Sequence, residues 1–576
     1  MASGLQAMEI PIPIDGVIPD ADPRTIQPTG LVDARNYVIR DGALYNRPGL
    51  VNRFSASNGT HVAVNGTGVF FIHDPKAGTT FDVIATGSNS IVYAGGVSID
   101  TGTLSSTAPT VFRVFDKGSD RWVLIANGTD PLKKWIYGAG TFANVGTGDG
   151  DGPDDSEDEP GKPQCIMVLA TRLLACGFPA VAGQGALVRV SDALDFDNGW
   201  FPVTQETLLV DTQGDIVACM EMGTLRGAIY KDTSIWMVTA GSDSLAPFTF
   251  ELVHDGVSGP ASRTSVCVGP TGEHFYQAQD GGLYVFDGTR AREFLPKFKS
   301  MARAILDYGQ ATVTRTPWIA FDARHNELVC GIGYLDTSTT QWVVRVRLDN
   351  GSLWPMEYTT DDPFLGACYH PEHRAIVYAV PDAAAVREAT FFGGAHAFGI
   401  NASGSLSTDR GYADGAWDFD LDSDLTPSSH LSAVAITSYA RWGMLRPDPG
   451  GTTVWSALEA EMEWDSTPGQ AGLGAPTATV AIAGSSHYAW RGTTDVTPKI
   501  PISSGHTESS VTQVTLTGVT PERVSSWQFG MRETGRFFMV KLDSVTNPVN
   551  GGANSTTAAD FSFRGGRAYM KQRGRR

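Results

Sequence analysis

The chain has 576 residues and a formal net charge of −19, with 62 acidic side chains against 43 basic ones. That balance excludes a protein that wraps nucleic acid by general electrostatic attraction. Its 65 glycines and only 18 % charged residues point to many turns and few solvated helix faces, so the expected fold is all-β with ample length for a buried core.

The opening "MASGLQAMEI" has neither a basic start nor a long apolar stretch, so no secretory leader is expected. No apolar run reaches the ~18 residues a membrane-spanning helix needs, and no membrane-spanning segment is expected. Residues 31–50, "LVDARNYVIRDGALYNRPGL", read as strands around a Gly turn, closed by Arg47, Pro48 and Gly49. Pro fixes φ and Gly permits φ > 0, so the chain turns sharply there. Residues 148–160, "GDGDGPDDSEDEP", hold seven carboxylates and no apolar side chain: Asp149, Asp151, Asp154, Asp155, Glu157, Asp158 and Glu159. Such a segment reads as a loop.

From about residue 170 a pattern repeats, a polar turn followed by an apolar strand. It occurs in "ATRLLACGF", "GTLRGAIYKDTSIWMV", "GPTGEHFYQA", "FDARHNELVCG" and "YHPEHRAIVYA". The last three place His274, His325 and His373 at the turn, at spacings of 51 and 48. Further hairpins lie between these anchors, giving four short strands per period. A period near 50 made of short strands is the signature of propeller blades. The expectation is a β-propeller over 60–415 with about six or seven blades, its three His in equivalent turns of consecutive blades. Two short helices are expected, "SMARAILDYG" capped by Ser300 and "DAAAVREA". After "WDFDLDSDLTPSSH" come longer strands over 430–576, which read as a β-sandwich. The closing "FRGGRAYMKQRGRR" is basic: Arg564, Arg567, Lys571, Arg573, Arg575 and Arg576. It reads as a polar tail able to dock on an acidic protein surface.

Chemistry-bearing motifs are weak throughout. The six cysteines form no C-x-x-C pair, and most lie in apolar strand-like runs, as buried free thiols of a reducing compartment do. Asp418, Asp420 and Asp422 begin a calcium-loop pattern, but Ser423 and Ser429 stand where Gly and Glu are needed. Cys368, His370 and His373 lack a fourth zinc ligand nearby. "SDALDFDNGW" lacks the Asp-box spacing, and no carboxylate pair or nucleophile motif stands out. No catalytic, cofactor or metal residue is assigned, no cofactor is expected, and the chain is expected not to be an enzyme.

Four stretches in order resemble the tail nozzle (tail tube) proteins of short-tailed bacteriophages: residues 31–50, "VRVSDALDFDNGW", "LRGAIYKDTSIWMV", and "GRFFMVKLDS" with the basic close. The resemblance implies a structural virion protein, made in the host cytoplasm and carried in the tail. It implies a homohexameric ring below a portal–adaptor complex, with tail fibres or spikes docked outside and double-stranded DNA passing without specific binding. Residues 1–59 would then join a channel or platform region, beside the propeller (60–415) and the C-terminal domain (430–576). The acids of 148–160 become candidates for a repulsive fringe facing the lumen, and the basic close becomes the candidate docking segment. The rival reading is a propeller virion protein that binds or degrades a glycan.

Overall fold

The computed structural model describes residues 6–19, 21, 25–40, 42–47, 50–52, 68–74, 79–87, 90–93, 97–100, 104, 108–117, 120–136, 143–146, 160–197, 200, 206–243, 246–309, 313–314, 317–335, 340–359, 363–370, 375–379, 386–389, 437–442, 452–465, 477–485, 512–516, 527–535, 537–545 and 560–573. The fold is all-β and propeller-like, built largely from small four-stranded antiparallel sheets. Five of these are consecutive in the chain, spanning residues 68–100, 111–144, 165–208, 216–255 and 266–293. A sixth set of strands begins with Trp318–Asp322 and runs to Leu353–Thr359. The seventh holds Gly366–His370, Ala375–Ala379 and Val386–Ala389, and is completed by Leu50–Asn52 from the other end of the chain. The first strand of each set packs beside the first strand of the next, and that of the seventh lies beside that of the first.

The five repeated segments supply the second strands of sheets three to seven. These strands are short apolar runs because both faces of a stacked sheet are covered. In Arg226–Lys231 every residue after the first is buried. His274 and His325 fall at the same hairpin of successive sheets but at different points of it. His274 is the first residue of its strand, whereas His325 sits in the turn after Asp322. His373 lies outside the described residues.

Among the described residues there is one helix, Pro296–Gly309, and it follows the fifth sheet. It begins four residues before the expected Ser300 cap, with Pro in its first turn, where the missing N–H costs nothing. Phe298, Met301, Ala302 and Ile305 are buried at helical spacing and enter a core with Phe275, Leu328 and Trp354. The second expected helix is not one: Val386–Ala389 is a strand held between Ala375–Ala379 and Leu50–Asn52. Backbone pairing on both sides overrides the helical preference of Arg387, Glu388 and Ala389, while residues 382–385 lie outside the described residues.

The sixth set does not end at an edge. Its strand Leu353–Thr359 pairs in parallel with Gly16–Val17, and the sheet continues through Gly30–Arg35, Thr437–Trp442, Phe537–Val545, Thr477–Ser485 and Thr512–Leu516. A second large sheet runs Trp527–Gly535, Thr452–Asp465, Asp560–Arg573, Ala43–Asn46, Tyr37–Arg40, with Gln6–Ile10 also on Asp560–Arg573. Strands from both chain ends are thus interleaved. Their core is shared with sheets five and six: Tyr37, Leu44, Trp442, Leu542 and Phe563 cluster with Phe275, Trp342 and Trp354.

Candidate functional site: a charged seam at the sixth sheet

The seam starts with an irregular residue. Asn36 breaks the strand run at φ 60°, a left-handed conformation Asn tolerates better than most residues. Its N–H donates to Pro355 O (3.0 Å), and its side-chain oxygen accepts from Glu357 N (2.8 Å) and Arg47 Nε (3.2 Å). Its carbonyl accepts from Arg47 N (2.6 Å) and Ser438 Oγ (3.0 Å). One residue therefore ties the N-terminal hairpin, the sixth sheet and the C-terminal strand Thr437–Trp442. Arg47 is buried, and its guanidinium stacks 4.1 Å from the centre of the Tyr358 ring. Leu50–Asn52 pairs in the seventh small sheet, so the chain passes from the large sheets to that sheet between Asn46 and Leu50, and the expected turn at Pro48 and Gly49 lies outside the described residues.

Beside it lies a buried network of charge. Arg40 grips Glu327 with both nitrogens, at 2.5 and 2.7 Å. Arg345 Nη1 reaches Asp322 at 2.9 Å and Glu327 at 3.1 Å. His325 Nδ1 lies 2.9 Å from the same Asp322 oxygen. Both carboxylates are at most 2 % exposed. Burial alone would raise their pKa values. The His325 hydrogen bond and the Arg345 charge hold Asp322 well below the carboxylate range, and Arg40 holds Glu327 below it. Arg35 adds an ion pair to Glu357.

Asp322, His325 and Glu327 have ligand atoms within 4.8 Å of one another, a spacing that suits a cation. Their charge is already matched: two carboxylates face two guanidiniums. A divalent ion placed there would sit against Arg40 and Arg345. The set reads as an ion-pair network that clamps the N-terminal hairpin to the sixth sheet.

A second network crosses the sheets on their first and second strands. Arg113 of the second sheet donates to Glu221 of the fourth (2.8 Å), whose carboxylate also accepts Val168 N of the third (2.9 Å). The Glu221 carbonyl lies 2.9 Å from His274 Nε2 of the fifth, and His274 Nδ1 lies 2.7 Å from Tyr230 Oη. Four consecutive sheets are joined by one chain of contacts. Burial pushes His274 down to about 4, so its ring is neutral at ordinary pH.

The sequence-predicted residues lie elsewhere. Arg564, Arg567, Lys571 and Arg573 belong to the fourteen-residue strand Asp560–Arg573, which has partners on both sides, rather than to a free tail. Arg564 and Arg567 are exposed. Arg567 stands directly opposite Glu9 on one neighbour and Glu459 on the other. Arg575, Arg576 and the acids Asp149, Asp151, Asp154, Asp155, Glu157, Asp158 and Glu159 lie outside the described residues. The seam residues were missed in the sequence, although they left a trace. "YVIR", "WVVRVR" and "FDARHNELV" each set charge inside an apolar strand run, where it must be paired once buried.

No family model matches the chain, and no curated protein matches it. Among solved structures, a chain of the "Crystal Structure of Mitotic Checkpoint Complex" is similar over 60 % of this chain and 93 % of its own, at 9 % identity and a TM-score of 0.37. A likeness that distant carries no argument about function.

Proposed function

We propose that the chain is a structural virion protein, the nozzle of a short phage tail, whose ring retains the genome and then conducts it. The supporting observation is where the first nozzle-like stretch falls. Asn36, Arg40 and Arg47 of residues 31–50 converge on the seam that fastens the interleaved terminal strands to the small sheets. A signature concentrated at that joint suits a protein whose work is to hold one body rigidly on another.

In this reading the seven sets of strands form a seven-bladed propeller, fastened by Leu50–Asn52. The interleaved strands form the channel-building body, and six copies make a ring under a portal–adaptor complex. Fibres or spikes dock outside. The net charge of −19 suits a conduit that must not hold on to phosphate. The exposed Arg564 and Arg567 remain the candidate docking residues toward an adjacent subunit or the adaptor. No residue is assigned to catalysis.

Electron microscopy of the purified chain mixed with its portal–adaptor complex tests the proposal. The expected result is a six-fold ring at the distal end, with the same protein at the tail tip of intact virions. A chain that stays monomeric with the adaptor, and binds or shortens host glycans, would replace this reading with the glycan-directed one.

A further inference from the structure

Three of the six cysteines meet in one core cluster: Cys165, Cys176 and Cys219. Cys165 opens the first strand of the third sheet, Cys176 ends the second, and the two are direct partners in the antiparallel register. Cys219 lies on the first strand of the fourth sheet, which packs alongside. Directly opposed antiparallel residues have Cα atoms about 4.5–5.5 Å apart, inside the roughly 4.4–6.8 Å that a disulfide spans. Cys165 Sγ leans across its own hairpin, 3.7 Å from Cys176 O. Two guanidiniums border the cluster: Arg113 donates to Cys219 O (3.1 Å) and Arg263 to Gln164 O (3.3 Å).

We infer that Cys165 and Cys176 form an oxidation site, which hydrogen peroxide converts from two thiols to a cross-strand disulfide. The Cys165 sulfur attacks one peroxide oxygen. An S–O bond forms, the O–O bond breaks, and the departing hydroxide takes up a proton to leave as water. Cys176 then loses its proton and attacks the Cys165 sulfur. The S–S bond forms, the S–O bond breaks, and a second water leaves. Two thiols are oxidised and one peroxide is reduced to two waters.

The surroundings assign the order of events. Burial alone raises thiol pKa values, and Cys176 and Cys219 stay well above the ordinary range. Cys165 is the reverse case: the neighbouring sulfurs of Cys176 and Cys219 and the charges of Arg263 and Arg113 pull it well below the ordinary range. The thiolate is the nucleophile. Cys165 is 2 % exposed and Cys176 is fully buried, so the oxidant must be nearly as small as water. Hydrogen peroxide meets that condition and a glutathione-sized disulfide does not. Cys176 resolves the intermediate because it shares a hairpin and a register position with Cys165, whereas Cys219 belongs to the neighbouring sheet.

The test treats the reduced full-length protein with hydrogen peroxide, alkylates remaining thiols under denaturing conditions, and maps peptides by mass spectrometry. The expected product is a Cys165–Cys176 linked peptide, two hydrogens lighter than its separate parts, with Cys330 still alkylated. In Cys176→Ser the link should vanish, and a 1,3-dione probe added together with the denaturant should label Cys165 as a sulfenic acid. Cys330→Ser should leave the link unchanged. Three outcomes overturn the inference: no linked peptide at peroxide levels that oxidise exposed methionine, a Cys165–Cys219 link in the unmodified protein, or equal linking by oxidised glutathione. If Cys176→Ser fails to fold, all three outcomes still decide, since each is read on the unmodified chain.

Discussion

Arg40 and Glu327 show most sharply how charge is used in this molecule. Glu327 is 1 % exposed and receives both nitrogens of Arg40. Removing one partner of such a pair leaves a charge buried without its match, which costs about 3–5 kcal/mol. Arg345 still contacts Glu327, so Arg40→Met should fall at the lower end, near 3 kcal/mol in urea unfolding. The double change Arg40→Met with Glu327→Leu should recover most of that loss. A single variant no worse than the double would show that the ion pair does not hold the seam. His274 gives a prediction about pH. Its folded pKa is about 4, below the ordinary 6.5, because burial disfavours its charged form. The unfolded chain therefore binds the proton more readily. Stability from this group is complete above about pH 6.5 and is lost progressively as pH falls toward 4, by about 3 kcal/mol in all. Tyr230, Glu221, Arg113 and Glu273 face the ring, and the rest of the chain adds its own slope. The measurement is therefore the difference in unfolding free energy between the wild type and His274→Gln across pH 4–7. The variant should lose less stability on acidification, and identical slopes would remove His274 from the account.

Single strands carry more than their local sequence reveals. Residues 564–576 were expected as a polar tail because of their arginines and lysine, although "DFSFRGGRAYMKQR" also read as a strand. The strand Asp560–Arg573 takes in most of that tail and is flanked by Thr452–Asp465, Gln6–Ile10 and Ala43–Asn46. Deleting residues 564–576 should therefore unfold the large-sheet body, seen as lost near-ultraviolet dichroism and rapid proteolysis. Arg564→Ser with Arg567→Ser should keep the fold and test docking alone. A deletion variant that melts like the wild type would contradict this. Gly331 makes a similar case: a Cβ there would fall 2.2 Å from the Trp318 ring, so Gly331→Ala should cost about 1–3 kcal/mol through overpacking. The repeat itself was legible because the second strand of each sheet carries the same turn-then-apolar pattern within a short window. The joints were not. Leu50–Asn52 finds its partner more than 330 residues away at Arg387–Ala389, and no local pattern encodes such a pairing. The helix was placed four residues late because a Ser outweighed the Pro that begins it. The end of the other expected helix, "DAAAVREA", was misread because alanine-rich propensity says nothing about a strand waiting on either side. The charged seam was half-legible: lone charges inside apolar runs marked burial, but only the fold could say which Arg meets which acid.

At the scale of the whole molecule, the proposed conduit makes a demand that composition can meet. DNA moving through a ring must not be held by the wall, and affinity for phosphate comes chiefly from Lys and Arg that displace counterions. Several of the buried arginines are spent within the protein. Arg40, Arg345 and Arg113 pair with carboxylates, and Arg47 stacks on Tyr358. Arg567 stands between two glutamates in register. Each chain carries a net −19, and a ring multiplies that charge. The assembled ring should therefore fail to retard duplex DNA in a gel at low salt, where electrostatic binding is strongest. The Arg40→Met variant should behave no differently, because its target is a fold contact. Replacing the seven acids of 148–160 by Ser and Asn tests the remaining choice. If that loop faces the lumen, the neutralised ring should begin to bind DNA, with affinity falling steeply as salt rises. If it faces outward, DNA binding should stay absent. Salt-sensitive binding of duplex DNA by the unaltered ring would defeat the conduit reading, since a wall that grips the genome at low salt lacks the repulsion the proposal requires.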